Sequence, residues 1–188
     1  MRIIAGSARG TRLETLEGES TRPTSERAKE AVFSMLQFEL RGRRVLDLFA
    51  GSGQLALEAL SRGAERALLC DASDKAMEIV RRNVEKTRMG DRCTLRTGDY
   101  AAICRSLGGE KFDLVFLDPP YAQHLVCPAL RVLLQIGALE TDALIVCESE
   151  EADIFERDEA LRACFEVRRA AKYGVAHITV LRCLMTEV

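Results

Sequence analysis

The tetrapeptide Asp118-Pro119-Pro120-Tyr121 contains the residue types needed to activate an amino group. Its two prolines stiffen the turn, so the Asp118 carboxylate and the Pro119 carbonyl are held in place. An exocyclic amine of a nucleobase is a weak nucleophile because its lone pair is delocalised into the ring. Hydrogen bonds from that amine to both oxygens would make the nitrogen more electron-rich and aim it at an electrophile. Tyr121 offers a flat face for a base removed from its stack.

A glycine-rich segment, DLFAGSG at 47–53, follows one predicted strand and opens a predicted helix. Its glycines let the backbone turn tightly and approach a ligand, and the free N–H groups of the helix start attract an anionic group. Asp71 ends the next predicted strand, where a carboxylate can accept hydrogen bonds from ribose hydroxyls. The pair predicts a nucleoside-containing cofactor. With Ala56 the loop also fits G-x-G-x-x-A, so glycine spacing alone leaves a dinucleotide open.

A third carboxylate, Asp99, lies just past the third predicted strand. There it could accept a hydrogen bond from an adenine amino group, although Asp is also common as a cap in such turns. A bare Asp-Pro-Pro likewise often does no more than end a strand. The functional interpretation rests on the order of these motifs at successive strand ends, because those ends line the crevice of a doubly wound sheet.

The elements that must position these residues alternate from residue 45 onward. Apolar runs at 45–49, 67–70, 93–97, 112–117 and 143–147 predict strands buried on both faces. Helical patterns occupy 55–62, 73–88, 100–107 and 124–136. This alternation predicts an α/β fold with a parallel sheet covered on both faces. Two final strands, joined by a turn at Tyr173 and Gly174, predict an antiparallel last pair.

The N-terminal segment differs from this pattern. Residues 2–5 and 11–13 flank a turn with Gly6 and Gly10, which predicts a short β-hairpin. A helix follows, for which Thr24 or Ser25 is the predicted N-cap residue.

Charge is unevenly distributed along the chain. The net charge is −2, yet Arg2, Arg9 and Arg12 have no acidic neighbour in the first twelve residues. Such arginines suit phosphate contacts, and a solvated charged terminus is the alternative. Residues 140–159 carry nine acidic residues against Arg157 alone, and for the acidic stretch 148–159 we expect a solvated face.

The composition is that of an ordinary globular protein, with 47% hydrophobic and 30% charged residues. No apolar run approaches the roughly 18 residues that span a bilayer, and no secretory leader is evident, so we expect a cytoplasmic protein without membrane contact. Seven cysteines without CxxC spacing predict free core thiols. With only two histidines and no Cys/His cluster, we expect no metal site.

Taken in order, these motifs resemble those of the class I S-adenosylmethionine-dependent methyltransferases. MRIIAG at 1–6, RPTSERAKEAVFSML at 22–36, DLFAGSGQLALEALSRGA at 47–64 and FLDPPY at 116–121 are similar to the bacterial 16S rRNA (guanine(966)-N(2))-methyltransferase family. The resemblance covers nearly the whole chain. It implies a Rossmann-like fold with a mostly parallel seven-stranded sheet, an antiparallel last strand and a short N-terminal β-hairpin. We expect one domain over 1–188, with the hairpin at 1–21, a helix at 22–44 and the core at 45–188.

The resemblance also implies a reaction: methylation of the N2 amine of one guanine in 16S rRNA by S-adenosyl-L-methionine. The substrate would be the small ribosomal subunit or its assembly intermediate, and the enzyme a monomer. Implied cofactor contacts are Asp47, Phe49, Ala50, Gly51, Ser52, Gly53, Asp71, Ala72, Asp99 and Tyr100. Implied catalytic residues are Asp118, Pro119 and Tyr121, and implied substrate contacts are Arg2, Arg9, Arg12, Arg22, Thr24, Arg27 and Pro120. Arg27 could equally pair with Glu30 along its helix. Gln54 and Tyr121 stand where the family has a small residue and often Phe.

Three alternatives remain at this point. Methyltransferases of DNA adenine or cytosine, or of protein glutamine, also resemble the DPPY motif, although DNA enzymes usually carry a separate target-recognition domain for which this chain has no spare residues. A nicotinamide-dependent oxidoreductase could use the same glycine loop, but DPPY has no evident role in hydride transfer. A non-catalytic RNA-binding module could retain the fold.

Overall fold

The secondary structure follows the alternation expected from the apolar runs. The computed structural model describes residues 1–16, 23–156 and 158–184, the first three residues of the second range by their backbone alone. Its strands are β1 (Arg44–Asp47), β2 (Arg66–Asp71), β3 (Cys93–Thr97), β4 (Phe112–Leu117), β5 (Leu139–Ser149), β6 (Phe165–Tyr173) and β7 (Ala176–Cys183). Its α-helices are α1 (Pro23–Met35), α2 (Gln54–Ser61), α3 (Asp74–Thr87), α4 (Tyr100–Arg105), α5 (Val126–Gln135) and α6 (Glu159–Arg162).

The strands form one seven-stranded sheet in the order β3-β2-β1-β4-β5-β7-β6. Strands β1 to β5 pair in parallel, whereas β7 is antiparallel to both β5 and β6. The predicted Rossmann-like fold with its antiparallel last strand is therefore confirmed. The chain starts in the middle of the sheet, moves outward to β3, and returns to β4 beside β1.

Two strand predictions need correction. Strand β3 was expected to be buried on both faces, but its residues are half-buried or exposed, because it forms the end of the sheet and pairs with β2 alone. Strand β5 extends beyond the predicted 143–147 at both ends. The added residues, LETD and ES, are largely polar, but the strand pairing extends to both ends, since Leu139 pairs with Phe112 and Ser149 with His177.

Helix ends also differ from the predictions in places. Helix α1 begins at Pro23, ahead of the predicted cap at Thr24 or Ser25, in keeping with the preference of proline for a first helical position. The helix predicted from His124 begins at Val126, because His124 adopts a left-handed conformation with φ 48°. Helix α6 and the short 3-10 turns at Gly90–Arg92 and Tyr121–Gln123 were not predicted.

Two apolar clusters pack on opposite faces of the sheet. Helices α1, α2 and α3 cover one face, where the rings of Phe33 and Phe116 lie 6.0 Å apart. Helices α4, α5 and α6 cover the other face, where Phe155 stacks on Phe165. Sequence alone predicts this arrangement because strands buried on both faces need helices on both faces.

The N-terminal segment forms the predicted hairpin and docks on α2. Arg2 and Arg12 are cross-strand partners, and Ile3 N–H donates to the Thr11 carbonyl at 3.0 Å. Since neighbouring residues on a strand face opposite sides, Arg2 is exposed while Ile3 is buried against the domain. Gly6 makes the approach to α2 possible: a Cβ at this position would lie 1.8 Å from the Ser61 carbonyl oxygen.

Candidate active site

The glycine loop and the DPPY segment leave the sheet side by side. Strands β1 and β4 are neighbours, Asp47 is paired with Phe116, and Leu48 N–H donates to the Phe116 carbonyl at 3.3 Å. From β1 the chain continues toward β2 and β3, whereas from β4 it continues toward β5. The carboxyl ends of β1 and β4 therefore flank the topological switch point, where open α/β sheets bind their ligands.

The glycine loop has a backbone that ordinary residues would strain. Gly51 and Gly53 have φ angles of 54° and 76°, in the left-handed region. Gly53 precedes α2, and a Cβ there would also lie 3.1 Å from the Leu69 side chain. A Cβ at Gly51 would meet no protein atom within 4 Å, so this part of the loop faces open space. Ala50 and Ser52, both predicted contacts, are buried beneath it.

Asp71 orients the loop from the end of β2. Its Oδ2 accepts a hydrogen bond from Gly51 N–H at 2.9 Å, and its Oδ1 accepts one from Ser73 N–H at 2.8 Å. Each carboxylate oxygen can accept more than one hydrogen bond, so both retain acceptor capacity. Ala72, beside it, is exposed. The sequence placed Asp71 at the correct strand end but did not predict its bond to the glycine loop.

Asp47 is a buried carboxylate at the end of β1. It is 1% exposed, and neither side-chain oxygen has a hydrogen bond of ordinary geometry within the described ranges. Burial raises its pKa to about 7, the nearby charge of Asp71 adds to the rise, and the N–H groups of Ala56 and Phe49 oppose it. An unsatisfied acceptor beneath the glycine loop is costly, and a cationic group of a ligand would compensate for it.

The turn after β3 lies against the glycine loop. Asp99 caps α4, because its Oδ1 accepts hydrogen bonds from Ala101 and Ala102 N–H at 3.0 and 3.1 Å. The capping alternative considered from the sequence is thus realised, at least for one oxygen. The next residue, Tyr100, places its ring 5.6 Å from that of Phe49. These two half-buried rings form an aromatic wall between the first and third strand ends.

The DPPY segment closes the other side of the site. Asp118 is half-buried, Pro119 is buried and Pro120 is exposed. The Tyr121 hydroxyl donates to Glu148 Oε1 at 2.5 Å, so the ring is held at its far end by a residue of β5. Burial raises the pKa of both partners, and for Tyr121 the hydrogen bond to the carboxylate raises it further. The phenol is therefore protonated at neutral pH and acts as a donor.

Two hollows border the DPPY segment. A small one contains Asp118 and is lined by Lys29 of α1, Gln54 of α2 and Glu148 of β5. A larger cleft of about 300 Å³ lies beside Tyr121. Its lining includes the carboxylates of Glu148, Glu150, Glu151, Asp153, Glu156 and Asp158. Glu150, Glu151, Asp153, Glu156 and Glu159 are exposed, in keeping with the expected solvated face. The stretch also forms one wall of this cleft beside the DPPY segment.

The predicted RNA contacts are only partly covered by the described residues. Arg2, Arg9 and Arg12 are all exposed on the hairpin, and the described side chains provide no ion-pair partner for them. Arg27 is exposed on α1, and the pairing with Glu30 does not form. Arg22 and the side chain of Thr24 lie outside the described part of the chain.

Sequence reasoning missed Glu148 and Asn83. Glu148 is the last residue but one of β5, at the same edge of the sheet as Asp71 and Asp118, and that position was the available signal. Asn83 is fully buried in α3 and donates to the Ser52 carbonyl in the glycine loop at 2.8 Å. Nothing local marks it, because it lies 31 residues from its partner.

The described residues contain no grouping of three or more His, Cys, Asp or Glu side chains that could hold a metal ion. None of the helices in the described ranges is long and apolar enough to cross a membrane. The seven cysteines all lie in the described ranges and form no disulfide, and Cys70, Cys104, Cys147 and Cys183 are buried in the core.

Comparison with known proteins places this chain in a family. Residues 1–182 match the family described as conserved hypothetical protein 95. The candidate rRNA methyltransferase YlbH of Bacillus subtilis is 38% identical over 155 residues, which cover 80% of this chain and 83% of that protein. Ribosomal RNA small subunit methyltransferase D of Haemophilus influenzae is 33% identical over 153 residues, with coverage of 80% and 79%. The solved structure of a candidate methyltransferase, yhhF of Escherichia coli, matches with a TM-score of 0.84 at 28% identity and covers 99% of both chains. The chain therefore belongs to the conserved hypothetical protein 95 family and shares the class I methyltransferase fold of these relatives.

Proposed function

We propose that this protein transfers a methyl group from S-adenosyl-L-methionine to the N2 amine of one guanine, of the position 966 type, in 16S rRNA of the small ribosomal subunit. The observation that carries the proposal is the placement of Asp118 and Tyr121 beside the glycine loop at the switch point of the sheet. The names of two relatives, a candidate rRNA methyltransferase and a ribosomal RNA small subunit methyltransferase, support ribosomal RNA as the substrate.

The ends of β1, β2 and β3 suit this cofactor. Asp71 has acceptor capacity for ribose hydroxyls, and the Phe49–Tyr100 wall offers apolar surface to the adenine. Asp99 would meet the adenine amine with the oxygen that does not cap α4. Asp47, whose buried oxygens have no hydrogen bond of ordinary geometry, suits the ammonium group of the methionine portion. When bound, the cofactor supplies an electrophilic methyl group on a cationic sulfur.

Asp118 and Pro119 would orient the guanine amine. Hydrogen bonds from N2 to the Asp118 carboxylate and the Pro119 carbonyl aim the nitrogen lone pair along the line of attack. The nitrogen would form its bond to the methyl carbon that the cofactor supplies, and the electron pair of the carbon–sulfur bond would remain on sulfur. Positive charge develops on nitrogen, where Asp118 stabilises it and receives the departing proton.

Tyr121 and the hairpin would hold the RNA. The Tyr121 ring is fixed through its hydroxyl to Glu148 and presents a face on which a flipped guanine can stack. The exposed Arg2, Arg9 and Arg12 would contact phosphates. All of these residues come from one chain, so the reaction requires no second copy, and we propose a monomer.

Methyl transfer to alternative substrates tests the proposal. Radiolabelled S-adenosyl-L-methionine is offered with unmethylated small subunits, naked 16S RNA, duplex DNA or protein, and labelled RNA is digested to locate the methyl group. We expect label in guanine N2. Asp118→Ala should abolish methyl transfer while S-adenosylhomocysteine still binds, because Asp118 follows β4 and is not among the residues proposed to contact the cofactor.

Asp91→Ala is the matched control, because Asp91 is exposed and precedes β3 at the opposite edge of the sheet. It should transfer methyl groups at the wild-type rate. Label found only in DNA or protein would contradict the RNA substrate, and a near-normal rate in Asp118→Ala would contradict the role of Asp118.

A further inference from the structure

Asn83 is a fully buried polar residue that connects two distant parts of the chain. Its Nδ2 donates to the Ser52 carbonyl in the glycine loop at 2.8 Å and to the Glu14 carbonyl at 3.0 Å. Its Oδ1 accepts a hydrogen bond from Glu14 N–H at 2.8 Å. One side-chain amide thus contacts the cofactor loop and both backbone groups of the residue that leaves the hairpin.

On the hairpin side, this bond belongs to a set that fastens Glu14 to α3. The Glu14 carboxylate pairs with Arg82 at 2.6 Å and with Lys86 at 2.5 Å, and these two pairs are partly exposed. Surface pairs of this kind contribute little energy. The buried bonds of Asn83 therefore carry most of the polar attachment of Glu14, because leaving buried backbone groups unpaired is costly.

On the loop side, Asn83 fixes the peptide between Ser52 and Gly53. The glycines on either side of Ser52 both have left-handed φ angles, which glycine can leave at little cost. A hydrogen bond from a buried donor to the Ser52 carbonyl selects one orientation of this peptide. The N–H of the same peptide, that of Gly53, donates to the Ala50 carbonyl at 2.6 Å, so the turn of the glycine loop depends on the same orientation.

We propose that Asn83 is a positioning residue that couples the N-terminal hairpin to the glycine loop, so that RNA on the hairpin and the cofactor in the loop favour each other's binding. The inference rests on the proposed function and extends it to the way in which RNA and cofactor affect each other's binding. A ligand that orders one segment leaves less conformational freedom to be lost when the second ligand binds. Such a coupling has the same size in both directions.

The test is a thermodynamic cycle with S-adenosylhomocysteine and an unmethylated 16S rRNA transcript. The dissociation constant of each is measured alone and with the other at saturation. For the wild type we expect each ligand to lower the dissociation constant of the other at least about fivefold, and this coupling factor should be the same in both directions. In Asn83→Ala the factor should fall to about one. Asn83→Asp is the second variant, for the case that the alanine variant does not fold. It keeps the size of the side chain and the acceptor for Glu14 N–H, but it replaces the donor to the Ser52 and Glu14 carbonyls.

Thr87→Val is the matched control. Thr87 lies one turn further along α3 and is also buried, and its hydroxyl donates to two carbonyls of its own helix, those of Asn83 and Val84. This variant loses a buried polar group without touching hairpin or loop, and it should keep the wild-type coupling factor.

Three results would overturn the inference. If both ligands bind the wild type with a coupling factor of one, the two sites are not coupled. If the coupling factor is unchanged in both Asn83 variants, Asn83 does not carry the coupling. If Thr87→Val loses the factor as well, the coupling reflects general stability of α3. A wild-type protein that binds neither the transcript nor unmethylated small subunits would instead contradict the proposed substrate, so the two failures have different signatures.

Discussion

Replacing Glu58 with glutamine should destabilise the domain strongly, although the change removes only a charge. Glu58 is fully buried in α2, where its two oxygens accept hydrogen bonds from Ile4 and Ala5 N–H of the hairpin at 2.8 and 3.0 Å. The same carboxylate pairs with Lys29 of α1 at 3.4 Å and with Arg62 at 2.8 Å. Hairpin, α1 and α2 thus share one buried negative charge.

The expected loss of stability follows from the buried Lys29 ammonium that the substitution leaves without its charged partner. The Lys29 side chain is 2% exposed, so in the Glu58→Gln variant its ammonium loses a buried partner. Removing one member of a buried pair costs about 3–5 kcal/mol. For a domain of this size each kcal/mol shifts Tm by roughly 2–4 °C. We therefore expect Tm to fall by about 6–20 °C.

The pH dependence of this loss identifies its cause. Burial lowers the pKa of Lys29, and the Glu58 charge opposes that effect. In Glu58→Gln the pKa falls further, so between the folded and unfolded pKa values the folded state binds fewer protons than the unfolded state. Stability then rises with pH across that interval. The gap in Tm between the variant and the wild type should narrow from neutral to alkaline pH.

Thermal melts followed by circular dichroism at neutral and alkaline pH measure both effects. Glu65→Gln is the control, because Glu65 is exposed in the turn before β2 and its side chain has no ion pair within the described residues. A fall in Tm no larger than that of Glu65→Gln would refute the reasoning. A gap that stays constant with pH would show that Lys29 is not the group left unpaired.

Two further predictions concern the RNA. Replacing Arg2, Arg9 and Arg12 together with alanine should weaken RNA binding and reduce the slope of log affinity against log salt by about 2, since each phosphate contact to a single strand contributes about 0.7; an unchanged slope would place the RNA face elsewhere. Tyr121→Phe should keep methyl transfer near the wild-type rate, because the ring face remains, whereas Tyr121→Ala should raise the KM for RNA roughly 5- to 150-fold, as expected from losing about 1–3 kcal/mol of stacking. Equal losses in the two variants would assign the effect to the hydroxyl bond with Glu148 and not to the ring.

Residues at the carboxyl ends of the strands could be predicted because their positions follow from local patterns. Strands buried on both faces appear as continuous apolar runs, and parallel strands bring their ends to one edge. Asp71 and Asp118 each follow such a run directly, so their convergence required only the fold class. The left-handed glycines of the loop were predictable for the same reason, since a tight turn from strand to helix demands them.

The attachment of the hairpin could not be predicted in this way. Glu58 lies 54 residues from its partner Ile4, and Asn83 lies 69 residues from Glu14. A single charged residue in an apolar helix normally faces solvent, and the sequence of α2 gives no sign that another segment covers it. Burial of Glu58 depends on the docking of the hairpin, which is a property of the tertiary structure. The same holds for Glu148, which is half-buried because the DPPY segment folds over the end of β5.

The distribution of charge also constrains how RNA can enter the site. On the hairpin, the cross-strand pair Arg2 and Arg12 faces solvent and attracts phosphate. Beside Tyr121, by contrast, the cleft is lined by carboxylates. Asp153 and Asp158 pair with Arg162 and Arg131, Glu151 contacts the His124 ring, and Glu148 is bonded to the neutral tyrosine hydroxyl. A phosphate in that cleft would be repelled, whereas a nucleobase carries no net charge. The electrostatics therefore favour one orientation under the proposed function, with the RNA backbone on the hairpin and a single flipped base at Tyr121.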